Sequence, residues 1–243
     1  MRIIKLSAIG STNTFLREIS SAEPIEDYTV VLAQHQTQGR GQMGTDWLVQ
    51  DGKNLTFSVF KDVSSISLDD NFYISIVVSI SVISVLKELK IPKTYIKWPN
   101  DILAGNKKVC GVLIENVIKN NDLSASIIGI GLNVNQTEFD HLPNASSLLR
   151  IVGKPFSIEG ILDQIIKALQ YNFKRLQNND LVSLKKDYED QLFRKNKPST
   201  FRDLNDNLFS GYIRGVSNNG KLKVLLEDEM LKEFDLKEIQ LLY

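Results

Sequence analysis

The alternation of apolar and polar positions marks short strands near the start of the chain. Residues 3–9 read as one strand, residues 30–34 as a second, and residues 55–59, where apolar and hydroxyl side chains alternate, as a third. A polar run at residues 11–14 offers a helix cap before the next apolar positions. The pattern therefore predicts that strand meets helix at a hydroxyl-rich turn.

A longer apolar run covers residues 72–86, with serines at 75, 79, 81 and 84. It is too short to span a bilayer, which requires roughly 20 apolar residues. The serines favour an amphipathic helix buried against a sheet, so we expect no membrane partner.

Strand and helix patterns then follow one another along the chain. Residues 95–98, 108–117 and 125–134 resemble strands, and apolar residues recur at helical spacing over 157–176 and 181–192. Together these patterns predict an α+β fold in which most helices lie between strands.

The pattern of apolar and polar residues changes from about residue 193. Short alternating stretches are broken by Gly211, Gly215 and a turn at residues 217–220 that favours positive φ. We therefore predict two domains, with boundaries at 1–192 and 193–243, and a small β-barrel as the second.

Composition narrows the functional classes. The chain has 243 residues, and its 29 basic residues balance its 29 acidic residues, so a broad surface for nucleic acid is not indicated. The single cysteine, Cys110, has apolar neighbours and indicates a buried strand position and a reducing, cytoplasmic setting. The first residues show no secretory signal.

The most informative segment is the loop at residues 38–47, where three glycines surround Arg40 and the segment ends on Trp47. Glycines allow backbone N–H groups to approach an anion, and arginine adds charge-assisted hydrogen bonds. A second cluster lies at residues 97–102, followed by a lysine-bearing strand at 108–115. Two anion-binding segments indicate nucleotide chemistry.

The chain resembles the biotin protein ligase family in its form without an N-terminal helix-turn-helix domain. The resembling segments are residues 11–13, 36–47, 97–101, 108–115 and 129–135 and the glycine-punctuated C-terminal module. The resemblance spans nearly the whole chain. It implies a catalytic domain built on a mixed β-sheet, of the biotin and lipoate ligase type, followed by an SH3-like barrel.

The resemblance also implies a reaction with two steps. Biotin and ATP, with Mg²⁺, give biotinyl-5′-adenylate and pyrophosphate, and a lysine of a carrier protein then takes the biotinyl group as an amide. The implied partner is the biotin carboxyl carrier protein of acetyl-CoA carboxylase or a related carboxylase. A homodimer is an open alternative, because an exposed edge strand pairs equally with the carrier or a second copy.

The family motifs assign roles to individual residues of this chain. Arg40, Lys108 and Asp101 are the candidate catalytic residues: Arg40 and Lys108 would neutralise charge as a carboxylate joins a phosphate, and Asp101 would orient the incoming lysine. Asp101 with Asn133 is the candidate Mg²⁺ pair. The candidate biotin contacts are Ser11, Thr12, Asn13, Gln36, Gly39, Arg40, Gly41, Gln42, Lys108 and Gly111. The candidate ATP contacts are Arg40, Trp47, Asn100, Lys108 and Asn133, with Trp47 stacking on adenine.

The glycine loop departs from the family pattern at one position. Many relatives carry a second arginine where this chain has Gln42, and further basic residues where it has Met43 and Thr45. The loop here has one fixed charge, so we expect Lys108 and Arg40 to hold the adenylate and its release to be easier than in more basic relatives.

Structural uses compete for several of these residues. Residues 11–13 are also plausible helix-capping residues, Asp101 a turn residue, and Asn133 a backbone partner. We interpret Trp98-Pro99 as a packed turn and Lys107 as solvated, because alternation directs one of two adjacent lysines to the site. The two histidines, His35 and His141, have no spacing typical of zinc or a catalytic triad, and we assign them no function.

Three other functions remain as alternatives. A lipoate or octanoate ligase would use the same fold and an acyl-adenylate. A biotin-sensing repressor is disfavoured, because the chain begins at the catalytic strand and has no net positive charge, so we expect no DNA partner. A non-catalytic module that binds carrier proteins is disfavoured by intact Arg40, Asp101 and Lys108.

Overall fold

The computed structural model describes residues 2–47, 49–140 and 142–243. Its main sheet has seven strands in the order β1-β2-β3-β7-β6-β5-β4, and β1 and β2 are parallel while the other neighbours are antiparallel. The strands are β1 (Ile3–Ile9), β2 (Val30–Gln36), β3 (Leu55–Asp62), β4 (Thr94–Lys97), β5 (Asp101–Ala104), β6 (Lys107–Lys119) and β7 (Asp122–Leu132). The predicted α+β class with a mixed sheet is confirmed.

Helices cover the sheet unequally. They are α1 (Thr12–Ala22), α2 (Phe72–Glu88), α3 (Leu148–Val152), α4 (Ile158–Gln177) and α5 (Leu181–Glu189). On one face, α2 packs against β4, β5 and β6, and α4 and α5 pack on α2 from outside. The large core formed there includes Leu55, Phe57, Ile128 and Ile130 from the sheet.

The prediction that the apolar run forms an amphipathic helix is wrong in one respect. Helix α2 occupies the expected segment, but it lies between the sheet and two other helices, and most of its 17 residues are buried on all sides. Even Ser79 and Ser81 are fully buried. Because the helix is enclosed on both faces, it needs no polar face toward solvent.

The same helix bears on the membrane question. The helical segment Leu68–Glu88 has 21 residues and is long and apolar enough, by length and composition alone, to cross a membrane. Of its most apolar window, 67% is buried inside the protein. The apolar character is accounted for by burial in the core.

The other face of the sheet is only partly covered. Helix α1 packs over β2, β3 and β7, where Leu16, Val31 and Ile127 form a second, smaller core. Farther along the same face the strands carry small residues, among them Gly129 and Gly131. This open part of the face forms the floor of the site described below.

A second sheet of five strands follows, in the order β11-β10-β9-β8-β12. Its strands are β8 (Pro198–Asp203), β9 (Leu208–Val216), β10 (Leu222–Leu226), β11 (Leu231–Phe234) and β12 (Ile239–Leu242). All its neighbouring strands are antiparallel, which agrees with a small barrel-like module. The boundary between residues 192 and 193 stays a prediction.

The turn before β10 holds the second sheet against the first. The Trp98 indole N–H donates a hydrogen bond of 2.8 Å to the Gly220 carbonyl, in agreement with the packed-turn interpretation. Gly220 has a φ of +88°, and a β-carbon there would collide with the Phe72 ring. These contacts hold the turn before β10 against the Trp98-Pro99 turn and the start of α2.

Candidate active site

A cavity of about 730 Å³ lies between the open face of the main sheet and the second sheet. The sequence-predicted residues that line it are Ser11, Thr12, Asn13, Gln36, Arg40, Gly41, Gln42, Trp47, Asn100, Asp101, Lys108 and Gly111. Residues up to a hundred positions apart thus meet around one space. Gly39 lines an adjoining cavity on the outer side of the glycine loop.

The start of α1 forms a polar network at one end of the cavity. The Gln36 amide oxygen accepts hydrogen bonds from the Thr12 backbone N–H at 2.8 Å and from the Thr12 hydroxyl at 3.0 Å. The Ser58 hydroxyl lies 2.7 Å from Thr12 Oγ1 and 2.6 Å from Asn13 Oδ1. We call Thr12, Asn13, Gln36 and Ser58 the head network, because it offers fixed donors and acceptors in a buried corner.

Ser11 occupies the N-cap position of α1, but its side chain makes no capping hydrogen bond. The capping interpretation therefore does not describe its hydroxyl. Ser11 is 7% exposed and lines the cavity beside the head network.

Glycines on neighbouring strands form the cavity floor. Gly131 on β7 pairs with Gly111 on β6, and a β-carbon at Gly131 would collide with the Trp47 indole. Two residues earlier, a β-carbon at Gly129 would collide with the Asn13 side chain. The absence of side chains lets the indole and the head network lie directly on the sheet.

The glycine loop is a tight hairpin. Arg40 and Asp46 form an antiparallel bridge, and the Trp47 N–H donates a hydrogen bond of 2.9 Å to the Gly39 carbonyl. A 3₁₀ turn at Gln42–Gly44 closes the tip. The hairpin carries Trp47 onto the floor, where its ring covers Gly111 and Gly131.

Arg40 is held against the sheet by Glu115, a residue that the sequence did not single out. Arg40 Nη2 lies 3.2 Å from Glu115 Oε2, and Asn13 Nδ2 donates to the same oxygen at 2.8 Å. Arg40 also donates to the Thr14 hydroxyl at 3.2 Å. Glu115 therefore links the glycine loop to the head network.

Lys108 and Asp101 form an ion pair at the opposite end of the cavity. Lys108 Nζ lies 2.7 Å from Asp101 Oδ1 and 5.8 Å from the Trp47 ring centroid. Lys107, by contrast, donates to the Pro143 carbonyl at 2.6 Å and does not line the cavity. One of the two adjacent lysines therefore faces the site, as alternation predicts.

A β-bulge sets the direction of Lys108. The register between β5 and β6 pairs Ile102 with Cys110 but Leu103 with Lys108, so one extra residue is inserted at Val109. In a regular strand, residues 108 and 111 would face opposite sides. The bulge allows Lys108 and Gly111 to face the same cavity.

A second lysine lies near this ion pair. Lys97 pairs with Asp101 across β4 and β5, and its Nζ lies 5.0 Å from the Tyr243 ring centroid. Burial lowers the pKa of the Lys97 ammonium below its ordinary value, with Asp101 opposing this shift and Lys108 adding to it. This end of the cavity is thus cationic, with one carboxylate between two lysines.

The two candidate asparagines differ in position. Asn100 is buried, lines the cavity and donates its amide to the Val112 carbonyl. Asn133 does not line the cavity, and its amide donates to the Ser146 carbonyl at 3.1 Å. Its predicted contact with ATP or Mg²⁺ would require a rearrangement of this segment.

The remaining titratable residues do not add a metal centre. Among residues 2–47, 49–140 and 142–243, no three His, Cys, Asp or Glu side chains cluster as metal ligands. His35 forms an ion-pair contact with Asp51 outside the cavity lining, and His141 lies outside the described residues. Cys110 is fully buried, and burial raises the pKa of its thiol, as expected for a strand position in the core.

Comparison with protein families relates this site to known proteins. Residues 6–133 match the model of the Biotin/lipoate A/B protein ligase family. That match contains the head network, the glycine loop, the ion pair and the glycine floor. The family assignment therefore rests on the part of the chain that builds the cavity.

Individual relatives extend the similarity. The chain is 28% identical over 243 residues to the bifunctional ligase/repressor BirA of Bacillus subtilis, covering 98% of this chain and 74% of that protein. It is 33% identical over 143 residues to a biotin–[acetyl-CoA-carboxylase] ligase of Mycobacterium tuberculosis, covering 58% and 52% of the two chains. A biotin protein ligase from Aquifex aeolicus, solved with biotin and ATP, matches with a TM-score of 0.82 and 29% identity over 99% of this chain and 98% of that one.

Proposed function

The chain belongs to the biotin/lipoate A/B protein ligase family, and on that premise we propose that it is a biotin protein ligase. The family name covers ligases for two acids, biotin and lipoate, and two of the three relatives described above are named for biotin. The observation that carries the proposal is one cavity joining the head network to the Lys108–Asp101 pair across a glycine floor.

The first step joins a carboxylate to a phosphate. A biotin carboxylate oxygen attacks the α-phosphorus of ATP, the bond from that phosphorus to the β-phosphate oxygen breaks, and pyrophosphate leaves. Two anionic groups must approach each other, so a fixed cation at the junction lowers the barrier. Lys108 is suited to this role, because Asp101 holds its ammonium 2.7 Å away at the edge of the floor.

The second step transfers the acyl group. The neutral amine of a carrier lysine attacks the acyl carbonyl, AMP leaves with the bond electrons, and the amine loses a proton as the amide forms. Asp101 lines the cavity and is 22% exposed at its side chain, which suits orientation of the incoming lysine amine. The acceptor proposed from the relatives' names is the carrier protein of acetyl-CoA carboxylase.

The proposed Mg²⁺ fits ATP better than a site built from this chain. Asp101 is already paired with Lys108, and Asn133 lies outside the cavity lining, where its amide nitrogen donates to the Ser146 carbonyl. The pair Asp101 and Asn133 therefore does not form a ready set of oxygen ligands. We propose that Mg²⁺ arrives with the nucleotide phosphates, and we assign no step to a metal bound by these two residues.

The proposal is tested by mass spectrometry of a purified biotin carrier domain incubated with the protein, ATP, Mg²⁺ and biotin, with lipoate in a parallel reaction. We expect one biotinyl adduct and no lipoyl adduct. A lipoyl adduct alone would assign the chain to the other acid of the family. Pyrophosphate release without an adduct would indicate the right activation chemistry with the wrong acceptor.

The single charge of the glycine loop leads to a prediction about adenylate retention. Gln42 lines the cavity at the hairpin tip. We expect Gln42→Arg to slow the escape of free adenylate about tenfold, because a charge-assisted hydrogen bond contributes roughly 1.5–3 kcal/mol. Escape is measured as biotinyl-adenylate released into solution without acceptor. Gln42→Leu is the control for side-chain size, and equal retention by Gln42→Arg and the parent would contradict the prediction.

A further inference from the structure

The Thr56 hydroxyl is a buried polar group whose partner the protein does not supply. Thr56 lies on β3 and is 5% exposed. Within the described part of the chain, Oγ1 has no hydrogen-bond partner. Thr56 lines the cavity, on the same face as Ser58 of the head network.

A second polar atom without a partner lies beside it. Trp47 Nε1 is buried, and none of the described residues accepts a hydrogen bond from it. A β-carbon built at Gly131 would lie 2.6 Å from this nitrogen, and Gly131 is the residue paired with Thr56 across β3 and β7. Two unsatisfied hydrogen-bonding groups therefore lie near the same glycine without bonding each other.

Leaving a donor unpaired in a protein interior is costly, so unpaired groups in a cavity wall point to a ligand. Ser79 shows the contrasting case. Its hydroxyl is also buried without a partner among the described residues, but it lies in α2 on the far side of the sheet and does not line the cavity. What distinguishes Thr56 is that the residue lines a cavity large enough for a small molecule, with its unpaired hydroxyl buried in the cavity wall.

We propose that Thr56 is a specificity-determining residue whose hydroxyl, with the Trp47 indole N–H, binds an acceptor atom in the ring system of the carboxylic acid substrate. The inference rests on the proposed function, in which that acid is biotin. Residues two apart on a strand lie about 7 Å from each other on one face. Thr56 therefore lies about 7 Å from Ser58, which hydrogen-bonds Asn13 in the cavity wall, and this distance is within the span of a small bicyclic group seated against Asn13.

The position of Thr56 favours the acid over the nucleotide. Across the sheet, Thr56 pairs with Gly131 on β7, Gly131 pairs with Gly111 on β6, and Gly111 pairs with Asp101 on β5. Neighbouring strands are about 4.8 Å apart, so Thr56 lies roughly 14 Å from the strand position of Asp101. The reacting carboxylate and the phosphates belong at the lysine end, and the ring system belongs at the Thr56 end.

Thr56→Val is the decisive substitution, because it keeps the branched shape and removes the hydroxyl. For the ligand-free protein, we expect Thr56→Val to raise the melting temperature, since an unpaired buried hydroxyl is lost. For biotin, we expect the dissociation constant to rise about tenfold and the ligand-induced thermal shift to fall. Thr56→Ser, which retains the hydroxyl, should bind biotin within about threefold of the parent.

Ser79→Ala is the matched control for removal of a buried, unpaired hydroxyl. It should leave biotin binding unchanged whatever its effect on stability. Binding is measured by calorimetry with biotin alone and, separately, with ATP alone. Unchanged biotin affinity in Thr56→Val would overturn the proposal, and so would a loss confined to ATP.

Binding of biotin and lipoate to the parent protein distinguishes failure of this inference from failure of the proposed function. If the parent binds lipoate and not biotin, the proposed function fails. If the parent binds biotin and Thr56→Val binds it equally well, the function stands and the inference fails.

Discussion

Lys108→Ala is expected to reduce adenylate formation by about a hundred- to a thousandfold, the usual cost of removing one fixed group that stabilises transition-state charge. Lys108 is a cation at the edge of the cavity floor, 2.7 Å from Asp101 and beside Gly111. Its removal leaves the biotin carboxylate and the α-phosphate to approach without that charge. It also leaves Asp101, a further negative group, without its ion-pair partner. Both effects raise the barrier of the first step.

The measurement is the rate of pyrophosphate release with saturating biotin and ATP, followed by transfer from synthetic biotinyl-adenylate to a carrier domain. The loss should be larger in the first assay, because the phosphate junction forms only there. Biotin affinity, measured separately, should change much less, since the head network lies at the other end of the cavity.

Lys107→Ala is the matched control. It removes the same charge from the adjacent residue, but the Lys107 ammonium binds the Pro143 carbonyl outside the cavity. We expect activity within about twofold of the parent, because a solvated charge at that distance is screened. Equal losses in the two variants would mean that general positive charge on this strand, and not the position of Lys108, supports the reaction.

The orientation of Lys108 shows where strand periodicity is insufficient. Alternation correctly predicts that adjacent lysines diverge, but it also predicts that residues 108 and 111 face opposite sides. The bulge at Val109 brings them together. Nothing in the residues around Val109 signals an inserted position, because the bulge is defined by pairing with β5, a four-residue strand that the sequence patterns did not predict.

The head network shows a different gap between sequence and structure. The motif at residues 11–13 and Gln36 were identifiable, but Ser58, Thr56 and Glu115 were not, since each lies in an ordinary strand pattern. Glu115 meets Asn13 across a separation of 102 residues. Such a contact depends on which strands are neighbours, and local patterns do not specify that order.

The position of helix α2 was predicted correctly, but its burial on all sides was not. Its serines suggested a polar face, although Ser81 donates its hydroxyl to the Val77 carbonyl within the same helix. The same hydroxyl accepts a hydrogen bond of 3.0 Å from the Asn172 side-chain amide on α4, so both of its partners lie inside the core. Burial on all sides follows from the layer of α4 and α5 outside it, which became evident only in the assembled fold.

The glycine floor leads to the second large effect, which concerns Gly129. A β-carbon at this position would collide with Asn13 Oδ1 and lie 3.0 Å from its Cγ. Strand β7 cannot yield, because β3 and β6 pair with it on both sides. We therefore expect Gly129→Ala to displace Asn13, break its hydrogen bonds to Glu115 and the Leu113 carbonyl, and weaken biotin binding about ten- to a hundredfold.

Gly160→Ala is the control for the alanine substitution itself. Gly160 lies near the start of α4, and a β-carbon there would be 3.3 Å from the Ser157 hydroxyl oxygen. The flexible Ser157 side chain can relieve this contact. A double-mutant cycle then identifies the cause. In an Asn13→Ala background the collision partner is absent, so Gly129→Ala should lower the free energy of unfolding by much less than in the parent. Equal losses in both backgrounds would mean that the floor requires glycine for its backbone alone. A strong dependence on Asn13 would mean that the bare sheet surface is required to hold the head network, as biotin recognition at this site demands.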